Sequence, residues 1–150
     1  MAAIYKISKK GYLLHADRKA VSGFRLAWEP FIRISENDFT AYVMANAIKE
    51  VIKASENGER VPDPKNWSEN SKQFLKNMGL KSSKELYAIT TKHCGIDKEN
   101  DNILFTPSKP AEKPDEGFLY KKKDEAIRVP DIASDEEIVS ALELALSRCE

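Results

Sequence analysis

Cysteine and histidine are scarce in this sequence, which has two of each: Cys94, Cys149, His15 and His93. A structural zinc site needs about four ligands at close spacing, and a disulfide framework needs several paired cysteines. Neither pattern is present. We therefore predict no metal and no other cofactor, and we expect both cysteines to behave as small buried hydrophobic residues.

Long apolar runs are missing as well. No stretch approaches the roughly 18 residues that would suggest a membrane span, and the opening MAAIYKISKK lacks the apolar core of an export signal. We therefore expect a cytoplasmic protein with no membrane partner. With 150 residues, 41% hydrophobic and 32% charged, the chain suits a single domain over residues 1–150.

Recognisable catalytic motifs are also absent from the sequence, which has no GxSxG, no HExxH and no glycine-rich phosphate loop. His93 and Cys94 are neighbours, but adjacent residues of a strand point to opposite faces of the sheet. In a strand they cannot pair as base and nucleophile, and His15 is the only other candidate base. We predict that the protein is not an enzyme and that His93 and Cys94 are structural.

The acidic segment after Cys94 invites a metal interpretation. Asp97, Glu99 and Asp101 alternate as the ligands of a helix-loop-helix calcium site do. However, Asn102 stands where such a loop needs glycine, and the later carboxylate position falls in a predicted strand. A solvated hairpin tip is the favoured interpretation.

The first half of the chain predicts strands followed by a long helix. Imperfect apolar alternation over residues 4–34, broken by glycines, indicates an antiparallel meander with Pro30 at an edge or a bend. A long central helix should begin at Ser35, which forms a near capping box with Asp38. A left-handed stop is expected at residues 57–58.

The second half predicts a short helix, four strands and a last helix. The short helix should be capped by Ser68 and end at Gly79, and a hairpin from about residue 86 should place His93 and Cys94 on opposite faces. Two short strands follow in residues 117–130, and Ser134 begins the C-terminal helix. The fold class is therefore α+β, a mainly antiparallel sheet of five to seven strands packed with a long central helix, a short helix and a C-terminal helix.

Charge is balanced overall but uneven along the chain. Residues 1–34 carry seven Lys/Arg and two Asp/Glu, and residues 131–150 carry one and six. Overall neutrality argues against nonspecific nucleic-acid binding. An alternative function stays open, a small RNA-binding module in which Tyr5, Tyr12, Phe24 and Trp28 stack on bases while the basic N-terminal strands and Lys121–Lys123 hold phosphates. The competing interpretation places the rings in the core and the lysines along edge strands.

Three segments together resemble a family of bacterial proteins: YKISKKGYLLHA…SGFRLAWEPFIRIS, the helix start SENDF, and the ending VPDIASDEEIVSALELALSRC. That family is the CdiI immunity proteins of contact-dependent growth inhibition, and the resemblance covers most of the chain through core and cap residues. It implies a cytoplasmic protein that binds the C-terminal toxin domain of its cognate CdiA effector, one to one. It further implies that the toxin is a nuclease, above all a ribonuclease, and that the immunity protein does not contact nucleic acid.

The resemblance carries over no binding residue, because immunity proteins diverge where they touch the toxin. Physical reasoning suggests candidates. A nuclease presents a basic cleft, so an inhibitor gains association rate and specificity by offering carboxylates in place of phosphates. Two acidic segments supply them, and the predicted toxin-binding residues are Asp97, Glu99, Asp101, Glu112, Asp115 and Glu116.

Overall fold

Seven antiparallel strands and four α-helices make up the part of the chain that the computed structural model describes, residues 1–112 and 117–150. The strands are β1 (Ala2–Ile7), β2 (Gly11–Lys19), β3 (Arg25–Ile34), β4 (Lys92–Glu99), β5 (Asn102–Pro110), β6 (Phe118–Tyr120) and β7 (Ile127–Pro130). The helices are α1 (Ala41–Ser55), α2 (Trp67–Asn77), α3 (Ser83–Leu86) and α4 (Asp135–Ser147).

The strands form one sheet in the order β3-β2-β1-β4-β5, and β6 and β7 both pair with the outer edge of β5. The first three strands form the predicted meander. β1 then pairs on its other side with β4, about ninety residues away in sequence, with Ala2 opposite Ile96. The predicted α+β class and the predicted range of five to seven strands are confirmed.

Each face of the sheet has its own core. On the first face, α1 and α4 pack against Ile4, Leu14 and Phe105. On the second face, Tyr5 and its neighbours are covered by the segment that contains α2 and α3, through residues such as Leu86. Strand alternation explains the division, because successive residues of β1 point to opposite faces.

The central helix begins later than the sequence predicts. Ser35 does accept the predicted hydrogen bond, but it caps only a 3₁₀ turn, Glu36–Asp38. Phe39 then adopts an extended conformation and stacks on Tyr12, with 5.2 Å between the ring centroids. This contact turns the chain, so that Thr40 becomes the N-cap of α1.

The predicted end of the central helix and the predicted cap of the short helix are both wrong. α1 ends at Ser55, and its C-cap Glu56 keeps right-handed angles (φ −73°, ψ −15°), so the helix does not close on a left-handed residue. Gly58 does not have a positive φ. The short helix is capped by Asn66, whose side chain accepts a hydrogen bond from the backbone in place of Ser68.

β4 starts later and ends later than predicted. Leu86 belongs to α3 and is buried in the second-face core, whereas Ile89 is 90% exposed, so the expected alternation fails before the strand begins. At the other end the strand continues through Glu99. The hairpin tip is therefore only two residues long, Asn100–Asp101, with Asn100 in the left-handed region at φ +56°.

Pro30 lies in an edge strand at an irregularity, as the sequence predicts. β3 borders the sheet, and its pairing with β2 shifts between two pairs of the ladder, His15–Phe31 and Ala16–Trp28. Proline has no N–H to donate, and a bulge in an edge strand is where that loss is tolerated.

Candidate functional site

The β4–β5 hairpin presents three of the predicted toxin-binding carboxylates at its outer end. Asp97 and Asp101 are exposed, and neither makes an ion pair with a residue in the described ranges. The Asp97 carboxylate accepts a hydrogen bond from the Lys98 N–H at 3.0 Å. These two carboxylates are available to a partner.

Glu99, the third carboxylate of the hairpin, is already engaged by cations of the same chain. Lys123 Nζ contacts one carboxylate oxygen, and Arg128 Nη2 lies 3.8 Å from the other. The hydrogen bond from Lys123 lowers the pKa of the Glu99 carboxyl, and the charges of Lys123 and Arg128 act in the same direction. A partner would therefore gain less from Glu99 than from Asp97 or Asp101.

Glu112 lies at the far end of β5 from this tip. The nine residues of β5 span about 30 Å at roughly 3.3 Å per residue. Glu112 is exposed, and the N–H of the preceding Ala111 donates to the carbonyl of Gly117 at 3.0 Å. The two other predicted residues, Asp115 and Glu116, lie outside the described residues.

β4 directs two of the hairpin carboxylates toward the second face. Because strand side chains alternate, Asp97 and Glu99 share the face of β4 that carries His93 and Gly95. The ring of Tyr120 lies over Gly95, where an added Cβ would come within 2.8 Å of a ring carbon. The second face thus runs from a buried histidine to exposed carboxylates.

A cleft of about 480 Å³ opens on this second face, between α2 and β6. Its lining includes Tyr5, His15, His93, Phe74, Phe118 and Tyr120. Asp17 and Arg25 also line it and carry charge. Sequence reasoning missed the cleft because its residues come from separate elements. The one signal was the presence of two histidines within apolar strands.

His15 is a polar group at the base of this cleft, with 4% of its surface exposed. Its Nδ1 lies 2.8 Å from the carbonyl oxygen of Ala16 and 3.2 Å from Oδ1 of Asp17. The carbonyl oxygen can only accept, so Nδ1 carries a proton. Nε2 has no hydrogen-bond partner among the described residues. A buried nitrogen left in that state costs about 1–3 kcal/mol.

His93 is bonded through both its Nδ1 and its backbone carbonyl. The Ser108 hydroxyl donates to the His93 carbonyl at 2.7 Å, so His93 Nδ1 donates to Ser108 Oγ at 2.9 Å. The ring stacks on Phe118, with 4.8 Å between the centroids. Burial, and to a lesser degree the nearby imidazole of His15, lowers the pKa of His93 to about 3. The ring is neutral near pH 7 and forms part of the cleft floor.

Cys94 points away from His93, as the strand assignment predicts. It lies in the first-face core, and its Sγ is 3.7 Å from Sγ of Cys149. The hydrogen bond with Cys149, together with burial, raises the pKa of the Cys94 thiol far above its usual range. Both cysteines are buried, as the sequence predicts, and His93 and Cys94 lie on opposite faces of the sheet. Within residues 1–112 and 117–150, no cluster of His, Cys, Asp or Glu could hold a metal ion.

Only some of the features behind the RNA-binding alternative are engaged in the fold. Tyr5 and Tyr12 are buried, which confirms the core interpretation of these two rings. Phe24 is 64% exposed, so the core interpretation is wrong for that ring. Lys121 Nζ pairs with the Glu150 carboxylate at 3.1 Å. Of the lysine triplet, Lys122 is left exposed with its ammonium in no ion pair that the described part of the chain provides.

The fold and these two surfaces define a small α+β domain with a charged hairpin tip and an aromatic cleft on one face. The chain belongs to the CdiI family of CDI immunity proteins, whose family model matches residues 28–149, more than four fifths of the sequence. The match begins within β3, so β1 and β2 lie outside it. None of the helices in the described residues is long and apolar enough to cross a membrane.

Solved structures share this fold along nearly the whole chain. A protein of unknown function from Neisseria meningitidis is 17% identical, with a TM-score of 0.68, over 99% of this chain and 94% of that chain. A chain of the CdiA-CT/CdiI toxin and immunity complex from Yersinia pseudotuberculosis is 17% identical, with a TM-score of 0.66, over 99% and 96%. At this identity the likeness concerns the fold alone. A comparison with curated proteins found no match.

Proposed function

We propose that this protein binds and neutralises the C-terminal toxin domain of its cognate CdiA effector. It acts in the cytoplasm, with one immunity protein per toxin domain and without catalytic turnover. Membership of the CdiI family is the observation that carries the proposal. The similar fold of a chain taken from a toxin and immunity complex supports it.

The toxin in this proposal is a ribonuclease. An enzyme that binds RNA needs cationic side chains along its substrate cleft, because phosphate contacts supply much of its affinity. Exposed carboxylates can occupy that cleft in place of phosphates and also speed up association. The exposed Asp97 and Asp101 at the hairpin tip, and Glu112 at the far end of β5, are suited to this role.

The second face is large enough to carry such an interface. A standard interface buries about 800 Å² on each partner, which corresponds to a patch roughly 30 Å across. The hairpin tip and Glu112 are separated by a similar distance along β5. A single toxin domain seated on the second face would therefore reach Asp97 and Glu112 together. Asp115 and Glu116, which follow Glu112 in the sequence, remain proposed contacts on the basis of their charge alone.

Growth rescue tests the immunity role. Producing the toxin domain encoded beside this gene should arrest growth, and coexpression of this protein should restore it. An unrelated CdiA toxin domain is the matched control, and this protein should leave its toxicity unchanged. Continued arrest with the neighbouring toxin, despite soluble immunity protein, would contradict the role itself.

A nuclease assay tests the assignment of the toxin. The purified toxin domain should cleave RNA and leave double-stranded DNA intact, and added immunity protein should stop the cleavage. Cleavage of DNA alone would overturn the ribonuclease assignment. The immunity role would stand in that case, because growth rescue measures it separately.

A further inference from the structure

The cleft on the second face has a polar base that the fold leaves incomplete. His15 Nε2 is buried and makes no hydrogen bond within the described part of the chain. Asp17 stands beside it with 11% of its side chain exposed, and its Oδ1 is 3.2 Å from His15 Nδ1. The cleft therefore contains a nearly buried carboxylate next to a nitrogen without a partner.

Both groups at the base accept hydrogen bonds. Nδ1 of His15 carries the proton that faces Ala16 and Asp17, and in that tautomer Nε2 presents a lone pair. The Asp17 carboxylate is an acceptor as well. A ligand that satisfies the two together must bring N–H donors, and a cation suits the carboxylate best.

The walls of the cleft favour a flat cation. The rings of Phe74 and His15 are perpendicular to each other, with 5.5 Å between their centroids. Phe118 and Tyr120 line the opposite wall. Aromatic faces attract cations, and a guanidinium both stacks on rings and donates from several N–H groups in one plane. An ammonium has no such flat face and offers a less complete fit.

The rim carries charge of both signs. Arg25 lines the mouth, which would attract an anion, but an anion at the base would face the Asp17 carboxylate and the Nε2 lone pair, and both would repel it. On another side, Gly117 lines the cleft and bonds to Ala111, next to the exposed Glu112. The base therefore selects a cation, and Glu112 adds negative charge near the entrance.

We propose that this cleft receives an arginine side chain of the toxin, whose guanidinium donates to His15 Nε2 and to Asp17 while it lies against the aromatic walls. The inference rests on the proposed function, since it identifies one contact of that complex. An arginine held in this way can no longer bind phosphate. It would thus contribute directly to inhibition if it comes from the substrate cleft of the toxin.

A single-atom substitution tests the contact. Asp17→Asn keeps the size of the side chain and an oxygen for His15 Nδ1, but it removes the charge. Toxin affinity should fall by about tenfold or more, because loss of one partner of a desolvated charge pair weakens binding strongly. Glu50→Gln removes the same charge from an exposed site on α1 and should leave affinity within about twofold. An Asp17→Asn variant that binds like the wild type would overturn the inference.

A titration of the wild-type protein keeps the inference testable if Asp17→Asn fails to fold. The probe is N-acetyl-L-arginine amide, and the neutral isostere N-acetyl-L-citrulline amide is the control. The ¹⁵N resonance of His15 Nε2 should shift in a saturable way with the arginine compound only. An unmoved resonance, or equal shifts with both compounds, would contradict the proposal. If the wild type does not bind the toxin at all, the proposed function fails, and this titration still reports on the cleft.

Discussion

Two histidines on the same face of the sheet have different hydrogen-bond partners. His93 lies opposite Ser108 of β5, whose hydroxyl satisfies both its Nδ1 and its carbonyl. His15 faces the cleft, and its Nε2 has no partner in the described residues. The difference follows from what stands next to each ring, and it separates a structural histidine from one that is available to a ligand.

The buried, neutral His93 should make stability depend on pH. Its pKa in the fold is about 3, against 6.5 in the unfolded chain, so only the unfolded state takes up a proton between these values. The stability that the neutral ring contributes is complete above about pH 6.5 and is lost as pH falls toward 3, by up to about 1.4 kcal/mol per pH unit. In His93→Asn, whose amide can donate to Ser108, the free energy of unfolding in urea should fall less steeply as pH decreases. If the unfolding free energies of the variant and the wild type fall in parallel with pH, this prediction is refuted.

Gly11 should not tolerate a side chain. It has φ +94°, and an added Cβ would be 2.3 Å from the carbonyl oxygen of Ile34. Gly11→Ala should lower the free energy of unfolding by about 2–4 kcal/mol, since a left-handed backbone and a clash with the main chain act together. Gly58→Ala is the control, because nothing lies within 4 Å of its added Cβ and its φ is not positive. Equal unfolding midpoints in urea for the two variants would contradict this reading.

Local sequence determined some helix ends and left others undecided. Ser134 caps α4 as predicted, because its hydroxyl accepts from the Glu137 N–H without help from elsewhere. The second bond differs from that of a capping box, since the Glu137 carboxylate accepts from the Ser134 hydroxyl and not from the Ser134 backbone N–H. For α1 the choice between Ser35 and Thr40 depends on Phe39 packing against Tyr12 of another element. A cap can be read from four residues, but a contact across the molecule cannot.

The α4 cap should make a measurable contribution to stability. Ser134→Ala removes the hydroxyl that accepts from the Glu137 N–H at 3.2 Å and should cost about 1 kcal/mol. Ser140→Ala, at an exposed position in the middle of the same helix, should be neutral or slightly stabilising, since alanine has the higher helix propensity. Thermal or urea unfolding of both variants checks the difference, and a cap variant as stable as Ser140→Ala would refute the role of the cap.

The hairpin tip should steer the toxin by charge. The double variant Asp97→Asn/Asp101→Asn should associate with the toxin about three- to tenfold more slowly at low salt, because two carboxylates in no ion pair with a described residue are lost. The difference in association rate between this variant and the wild type should decrease as salt rises, since ions screen exposed charges over about 10 Å. Stopped-flow association across a salt series provides the measurement.

A matched control separates steering from net charge. Glu50→Gln/Glu59→Gln removes two exposed carboxylates from α1 and from the loop that follows it. Its association rate should stay closer to that of the wild type at every salt concentration. If the two double variants slow association equally, the effect reflects overall charge, and the hairpin tip has no particular role.

The assembly of the whole sheet lay beyond sequence reasoning. Strand number and class followed from alternation and turns, but nothing local specifies that β1 pairs with β4. The cleft arises from that pairing together with α2 and β6, so only its isolated histidines were visible beforehand. The opposite charges of the two chain ends also meet in the fold, where Lys6 lies 3.9 Å from Glu143. Such contacts depend on tertiary packing, and one sequence does not encode them as a local pattern.

Inhibition of the purified toxin is the most direct test of the proposed role. The toxin domain encoded beside this gene would be held at a fixed concentration while its RNA cleavage is followed against added immunity protein. RNA cleavage should fall linearly and vanish at one equivalent, with no further change beyond it. Full cleavage in the presence of excess folded immunity protein would show that this protein does not act by occupying its toxin.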